Sequence, residues 1–302
     1  MKIWEFAKAE GSSIRMDSWM SDTMGLVDGG VVYSTLFKHP AEGPKDYEII
    51  LSVFPQENYR TLTHITMYLD DVPGSSAQAS EFLASREINI LNSVSLNGIS
   101  DTVIVWKLMA DMNFAGEADI LRETFENLKA SRDPSVSKIR RIDIKPADIG
   151  RLFKGATGNG GKEEIRRGYP TVIRDGLFNV ADQYGDILRD IDGKNVLITM
   201  DADSWILSVT FFKEGTRLVK AGLEMPDCPG GIGQVLDVIA GWNINLISVF
   251  SKVKICYETM YLELVMDIGK SDLTFDEIRD RLPSSIEGLN GVYTLKEFSE
   301  FR

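Results

Sequence analysis

The sequence predicts an α+β fold in which one βαββαβ unit occurs twice, and three observations carry that prediction. Residues 48–111 align with 204–267 without a gap, giving 16 identities in 64 positions, where unrelated segments of this composition would share roughly 4. Ile50-Leu51-Ser52-Val53 returns as Ile206-Leu207-Ser208-Val209, Asp71-x-Pro73-Gly74 as Asp227-x-Pro229-Gly230, Gln78 as Gln234, and Ile88-Asn89 as Ile244-Asn245. The order of strand and helix patterns is also the same in both copies. With 302 residues, of which 43% are hydrophobic, the chain has enough apolar material for a core in each unit.

In the second copy, residues 217–225 read as a strand that ends at the turn Asp227-Cys228-Pro229-Gly230. A helix follows, with Ile232, Val235, Leu236 and Ile239 on one face and Gly241 placed for a left-handed cap just past its end. Residues 243–252 and 257–268 are β-rich and form a hairpin. Ser271 opens a second helix whose early acidic residues suit its N-terminus, and Pro283 is expected to stop it at about Leu282. Residues 291–298 supply the last strand. The first copy gives strand 62–71, helix 74–85, strands 88–96 and 102–112, helix 117–131 and strand 135–144. This order is the split βαβ, or ferredoxin-like, arrangement.

A less familiar segment precedes each unit. Residues 176–191 read as a helix with Phe178, Ala181, Tyr184 and Leu188 in a stripe, and residues 195–200 and 205–212 read as a hairpin. Their counterparts are 22–27, 31–37 and 47–54. These strands either extend each unit's sheet or make a small domain of their own. The expected division is therefore 1–60 for the first helix and hairpin segment, 61–146 for the first unit, 147–168 for a linker, 169–216 for the repeated segment and 217–302 for the second unit. The glycine-rich stretch Gly155–Glu164 lacks GxxxxGK spacing, and Glu163 follows Lys162 where a magnesium-binding Ser or Thr belongs, so it reads as a flexible linker.

A net charge of −12 without a dense Lys/Arg run disfavours nucleic acid as a partner, and Lys138-Ile139-Arg140-Arg141 reads as a strand with one solvated face. No stretch approaches the roughly 20 apolar residues of a membrane span, and residues 1–8 lack a signal-peptide core, so a cytoplasmic location is expected. Cys228 and Cys256 are expected as reduced thiols, and with only His39 and His64 there is little material for a zinc site. No cofactor is expected. No GxSxG, no Cys with a His partner and no dinucleotide fingerprint appears, so the chain is not expected to be an enzyme. Trp106, Trp205 and Trp242 read as core or interface anchors.

The turn Asp227-x-Pro229-Gly230-Gly231 combines glycines that admit close backbone approach, a helix N-terminus with unpaired N–H groups, and a carboxylate beside them. That combination suits a zwitterion, with the ligand's carboxylate on the N–H groups and its ammonium on an acid or amide. Such a turn, followed by an Ile-Asn pair at the next strand on a unit of about 80 residues, resembles the ACT domain, a small regulatory module that binds amino acids. The resemblance covers both units and not the segments before them. It implies ligand-binding roles for Asp227, Gly230, Gly231 and Asn245, and for Asp71, Gly74 and Asn89, at an interface between two units. The first copy departs from the pattern in having Ser75 for the second glycine. By strand period Asn243 is expected to share a face with Asn245, with Glu87 in its place in the first copy. The bland reading is that Asp-x-Pro-Gly is a good turn and helix start in which Asp caps the helix.

The resemblance implies a non-catalytic regulatory protein that binds an amino acid or related small acid and transmits this through self-association, as a homodimer or higher homo-oligomer through its sheets, or through a partner. The alternative is a regulatory or scaffolding subunit of a biosynthetic enzyme with vestigial ligand sites.

Overall fold

The computed structural model describes residues 4–55, 62–100, 102–112, 118–147, 161–201, 205–286 and 291–301, with no account of the side chains of 96–100. Within the described residues, the chain runs β1 (Trp4–Glu10), β2 (Ser13–Arg15), α1 (Ser18–Thr23), β3 (Val31–Lys38) and β4 (Lys45–Ser52). The first unit follows, with β5 (Leu62–Asp70), α2 (Ser75–Ala84), β6 (Asn89–Ser100), β7 (Val103–Asp111), α3 (Ala118–Ala130) and β8 (Ile139–Pro146). Next come β9 (Glu163–Arg167), β10 (Thr171–Val172), β11 (Leu177–Asn179), α4 (Ala181–Tyr184), β12 (Asn195–Asp201) and β13 (Ile206–Phe212). The second unit is β14 (Leu218–Pro226), α5 (Gly231–Gly241), β15 (Asn245–Ile255), β16 (Thr259–Asp267), α6 (Phe275–Ile286) and β17 (Thr294–Glu300).

Each unit is a four-stranded antiparallel sheet, in the order β6-β7-β5-β8 in the first and β15-β16-β14-β17 in the second. This is the ferredoxin-like arrangement that the element order predicts. Alternation along β5 buries Ile65, Met67 and Leu69 against Phe82, Leu83, Leu121 and Phe125 of the two helices. In β14, Val219, Ala221, Leu223 and Met225 meet Val235, Ile239, Ile278 and Leu282 in the same way.

The segments before the units behave differently from either expectation. They neither extend the units' sheets nor form separate small domains, but combine into one nine-stranded sheet that runs β10-β3-β4-β13-β12-β1-β2-β11, with β9 also on β3. Its end strands β10 and β11 are consecutive in the chain and linked by the Arg174–Leu177 bridge, so the sheet closes into a barrel. The barrel core draws Ile14, Leu36, Ile49 and Leu51 from one half and Phe178, Tyr184, Ile198, Leu207 and Val209 from the other. The expected helix over 176–191 is a correction: Phe178 lies in β11, and only Ala181–Tyr184 is α-helical. The stripe is real, because Phe178, Tyr184 and Leu188 all face the barrel core, but a strand followed by a short helix produces it.

Two further expectations fail locally. Pro283 does not stop α6, which continues to Ile286 because Leu282 and Ile286 are both anchored in the core; Thr274 and Glu277 start it as a capping box, with Glu277 N donating to Thr274 Oγ1 at 3.3 Å and Thr274 N donating to Glu277 Oε2 at 2.8 Å. Gly241 is the last residue of α5 and not a left-handed cap. The left-handed residue is Asn243 at φ 56°, matched in the first unit by Glu87 at φ 58°. Gly155–Gly160 lie outside the described residues, but the end of the same stretch is structured: Glu163 and Glu164 begin β9, and Lys162 is an anchor.

That anchor is a buried ion pair where the chain re-enters the barrel. Lys162 Nζ donates to Glu48 Oε2 at 2.7 Å and lies 4.8 Å from the Phe37 ring centre, while His39 Nε2 is 3.2 Å from the same carboxylate. Burial pushes the Glu48 carboxyl up, but His39, Lys162 and Ser208 outweigh it and bring it down to about 2. Nearby, the Tyr184 hydroxyl bonds Ser34 Oγ at 2.8 Å, and burial pushes its pKa up to about 12. Gly168 is packed under this pair so closely that a Cβ would lie 2.7 Å from both Gln183 Oε1 and Tyr184 Oη and in contact with Ser34 Oγ. No helix among the described residues is long and apolar enough to cross a membrane.

Two outcomes follow. A carboxyl lowered in the folded state stabilises above its unfolded value and ceases to as pH falls through its folded value, so Glu48 should supply about 3 kcal/mol that vanishes between about pH 4.5 and 2. Urea unfolding across this range should show a shallower acid loss for Glu48→Gln than for the parent; equal slopes would refute the assignment. Gly168→Ala should lower the urea midpoint by an amount worth about 1–3 kcal/mol through overpacking.

Candidate functional site

The two Asp-x-Pro-Gly turns close their strands onto their helices with the same backbone. Gly74 and Gly230 both have φ 85°, with ψ of 2° and −12°, a left-handed conformation that glycine adopts without the Cβ penalty. In each, the carbonyl accepts the first helical hydrogen bond, from Gln78 N and Gln234 N. Ser75 N and Gly231 N are spent inside the turn, on Val72 O and Cys228 O. Among the described residues, the N–H groups of Ile232 and Gly233 in the second unit, and of Ser76 and Ala77 in the first, have no acceptor. Those pairs point out of the helix end and carry its partial positive charge.

Asp227 does not cap α5. Its Oδ2 accepts from Tyr257 N at 2.8 Å and its own N–H donates to Glu258 O at 3.2 Å, so it ties the turn to the β15–β16 hairpin; Oδ1 has no donor among the described residues. Asp71 N donates to Thr102 O at 3.1 Å, the same backbone tie in the first unit.

The two turns differ in what surrounds them. A Cβ on Gly230 would meet nothing within 4 Å, whereas one on Gly74 would lie 3.0 Å from Lys138 Nζ, which donates to Pro73 O at 2.8 Å. The first turn is thus closed by a lysine head, and the second is open. Gly231 is a packing glycine: it is buried, and a Cβ there would press on Met225 Cε at 2.9 Å. Ser75 in its place is buried and donates its hydroxyl to Val72 O at 3.0 Å. Gln78 bridges to Pro134 O and Lys138 N, and Tyr293 Oη donates to Gln234 Oε1 at 3.3 Å.

Asn245 and Asn89 are exposed and start the edge strands β15 and β6. Asn245 pairs with Asp267, which pairs with Leu218 at the far end of β14 from the turn. Eight residues of strand put Asn245 about 26 Å from Asp227 within one unit. The unit therefore brings Asp227, Gly230 and Gly231 together and leaves Asn245 at its opposite end; the same register separates Asn89 from Asp71 and Gly74. Asn243 shares no face with Asn245, since it sits in the left-handed turn and donates Nδ2 to Lys270 O at 2.9 Å. Glu87 occupies the matching turn, so neither residue belongs to a strand face.

Sequence reasoning missed a charged cluster on the second sheet's other face. Lys220 Nζ lies 2.9 Å from Glu297 and 3.3 Å from Glu263, which Tyr261 Oη approaches at 3.4 Å. Burial alone would lower the Lys220 ammonium; the two carboxylates raise it instead. Gly222 makes room, since a Cβ there would lie 2.6 Å from Tyr261 Oη. The available signal was the charge at Lys220 and Glu224 on one face of β14, with Gly222 between them. Cys228 and Cys256 are free thiols, and no group of three or more His, Cys, Asp or Glu among the described residues is placed to hold a metal ion.

No family model matches the chain, and no curated protein does. Among solved structures it is similar to an unknown protein from Galdieria sulphuraria, at 10% identity and TM-score 0.24 over 80% of this chain and 98% of that one. It is also similar to the regulatory subunit of aspartate kinase from Thermus thermophilus, at 9% identity and TM-score 0.22 over 77% and 94%. A third is the acetolactate synthase small subunit from Thermotoga maritima, at 9% identity and TM-score 0.21 over 79% and 92%.

Asp227→Ala removes the hairpin tie. It should cost about 1–2 kcal/mol and raise the hydrogen-exchange rate of the Tyr257 amide more than that of amides in β14; unchanged protection at Tyr257 would show that the contact is idle.

Proposed function

We propose that this chain is a non-catalytic regulatory protein that binds an amino acid or related small acid at the turn of the second unit and acts through self-association. The observation that carries this reading is the open turn at Gly230, with two N–H groups free for a carboxylate and Asp227 Oδ1 free for an ammonium.

The placement of Asn245 supports an interface site. β15 is an edge strand of 11 residues whose Val253 and Ile255 are 47% and 53% exposed, ending beside Tyr257 at 89%. A long bare edge of this kind is a template for pairing. Antiparallel pairing of two copies of β15 about its centre would carry Asn245 of one copy to the Ile255 end of the other, next to Asp227. A ligand held by both copies would then favour the paired state by its differential affinity alone.

The first unit fits a different part. Lys138 fills the place at Gly74 where a ligand would approach, which favours a scaffolding role for that unit, toward the rest of this chain or toward a biosynthetic enzyme.

A thermal-shift screen of the whole chain against the twenty amino acids and related small acids, with calorimetry on each hit, tests the proposal. A ligand at about 100 times its Kd should stabilise by roughly 2.7 kcal/mol and raise the molar mass seen by light scattering. Gly230→Asp should abolish binding, because it sets a negative charge where the ligand carboxylate docks, and Gly74→Asp should leave it intact. Equal binding by Gly230→Asp and the parent would sink the proposed site.

A further inference from the structure

We infer that the tip of the β3–β4 hairpin is a strap that couples the barrel, the connection into the second unit and the far end of α5. Its length is the first sign. Ser52 and Ser208 are equivalent in the sequence repeat, and they pair with Tyr33 and Thr199. Eighteen residues separate Tyr33 from Ser52, whereas eight separate Thr199 from Ser208. The first hairpin therefore projects five residues farther along each strand, about 16 Å at the rise of a strand. The shorter β12–β13 hairpin has no such tip to offer the first unit.

The extension reaches residues 213–217, which connect β13 to β14 and so join the second unit to the barrel. The Lys213 ammonium donates to Pro40 O at 3.0 Å, to Ala41 O at 2.6 Å and to Gly43 O. An ammonium carries three protons, and here each finds a carbonyl, so the tip is curled round one cation. Pro44 O accepts from Lys213 N at 2.9 Å and from Thr216 Oγ1 at 3.4 Å. Ala41, Glu42 and Gly43 are exposed, so polar contacts and not burial hold the tip in place.

The loop after β16 completes the arrangement. Lys270 Nζ donates to Glu42 O at 3.2 Å. Ile268 N donates to Arg217 O at 2.9 Å, and Asp267 Oδ1 accepts from Arg217 N at 3.0 Å, which ties the same loop to the connection. Lys270 O accepts from Asn243 Nδ2 at 2.9 Å and Ser271 Oγ donates to Trp242 O at 2.8 Å, just past the end of α5. Strap, connection and helix end form one hydrogen-bonded network, so loosening one member lowers the cost of opening the others, and the effect runs in both directions. Because α5 begins at the Gly230 turn, a ligand bound there under the proposed function would bear on the same helix. The strap itself does not rest on that reading, and its test needs no ligand.

Hydrogen exchange of the unliganded full chain, resolved by residue, tests the inference in both directions. Lys213→Met keeps the apolar stem and removes the ammonium. It should speed exchange of the Thr216 and Ile268 amides about tenfold or more and leave those of Ile49 and Val209 in the barrel unchanged. Lys270→Ala and Asn243→Asp are at exposed positions, and the second keeps a residue tolerant of left-handed backbone while losing the Nδ2 donor. Each should speed exchange of the Lys213 amide, which neither side chain touches. Unchanged exchange at Ile268 in Lys213→Met, an equal rise at Val209, or unchanged exchange at the Lys213 amide in both Lys270→Ala and Asn243→Asp would each overturn the inference.

Discussion

The pairing of β4 with β13 is the contact on which the rest of the molecule depends. Leu51 lies opposite Leu207 in that pair, and these are also equivalent residues of the sequence repeat, so the two halves meet about a local dyad that passes between two copies of the same leucine. Ile14 lies opposite Phe178 in the β2–β11 pair, a second contact between the two halves. The β4–β13 contact is isologous, the geometry of a symmetric dimer realised within one chain. Neither half has the strands to close a barrel alone, and each would leave bare edges. Joined, they pair β4 with β13, β1 with β12 and β2 with β11 and bury one continuous core.

The two βαββαβ units are hung on this barrel by the sheet faces their helices leave open. In the first, Leu62, Met109 and Leu91 meet Phe37, Ile50 and Ile206 of the barrel. In the second, Val265, Ile247, Phe250 and Phe301 meet Trp4, Phe6, Leu197 and Phe212, with the Phe6 and Phe301 rings stacked at 4.3 Å. The same device serves both: a bulge at Leu91 in β6 and at Ile247 in β15 spends one extra residue to turn an apolar side chain toward the barrel. Around these matched anchors the chemistry has diverged. Lys220, Tyr261 and Glu263 stand where the first unit has His64, Val105 and Lys107, so the ion cluster on the second open face is built from residues that the first does not have at those positions.

What was legible in the sequence followed the range of the interactions involved. The βαββαβ elements repeat a local period, and Ile65, Met67 and Leu69, or Val235 and Ile239, announce their buried face within a few residues. Pro283 misled because burial of Leu282 and Ile286 outweighs a local helix penalty of about 3 kcal/mol. The barrel was illegible for a different reason: β4 and β13 lie more than 150 residues apart, and nothing in either strand names its partner. At the candidate site the turn glycines were readable from their type and spacing. The closure of one turn by Lys138 and the distance of Asn245 from Asp227 depend on tertiary placement, and no local pattern encodes them.

The difference between the two turns bears on what a duplicated chain can do. A helix N-terminus with two free N–H groups is an anion site in either unit, so backbone geometry alone would give two equal sites. Lys138 breaks that equality. Its ammonium is held on Pro73 O above Gly74, where it occupies the approach that is open above Gly230. Buried Ser75 adds a hydroxyl tie to Val72 O that Gly231 has no side chain to make. Both turns keep an N–H pair without an acceptor among the described residues; what differs is that a lysine head lies over the first and nothing lies over the second. Under the proposed function the second unit would be the responsive one, and the first would be the fixed frame on a common barrel.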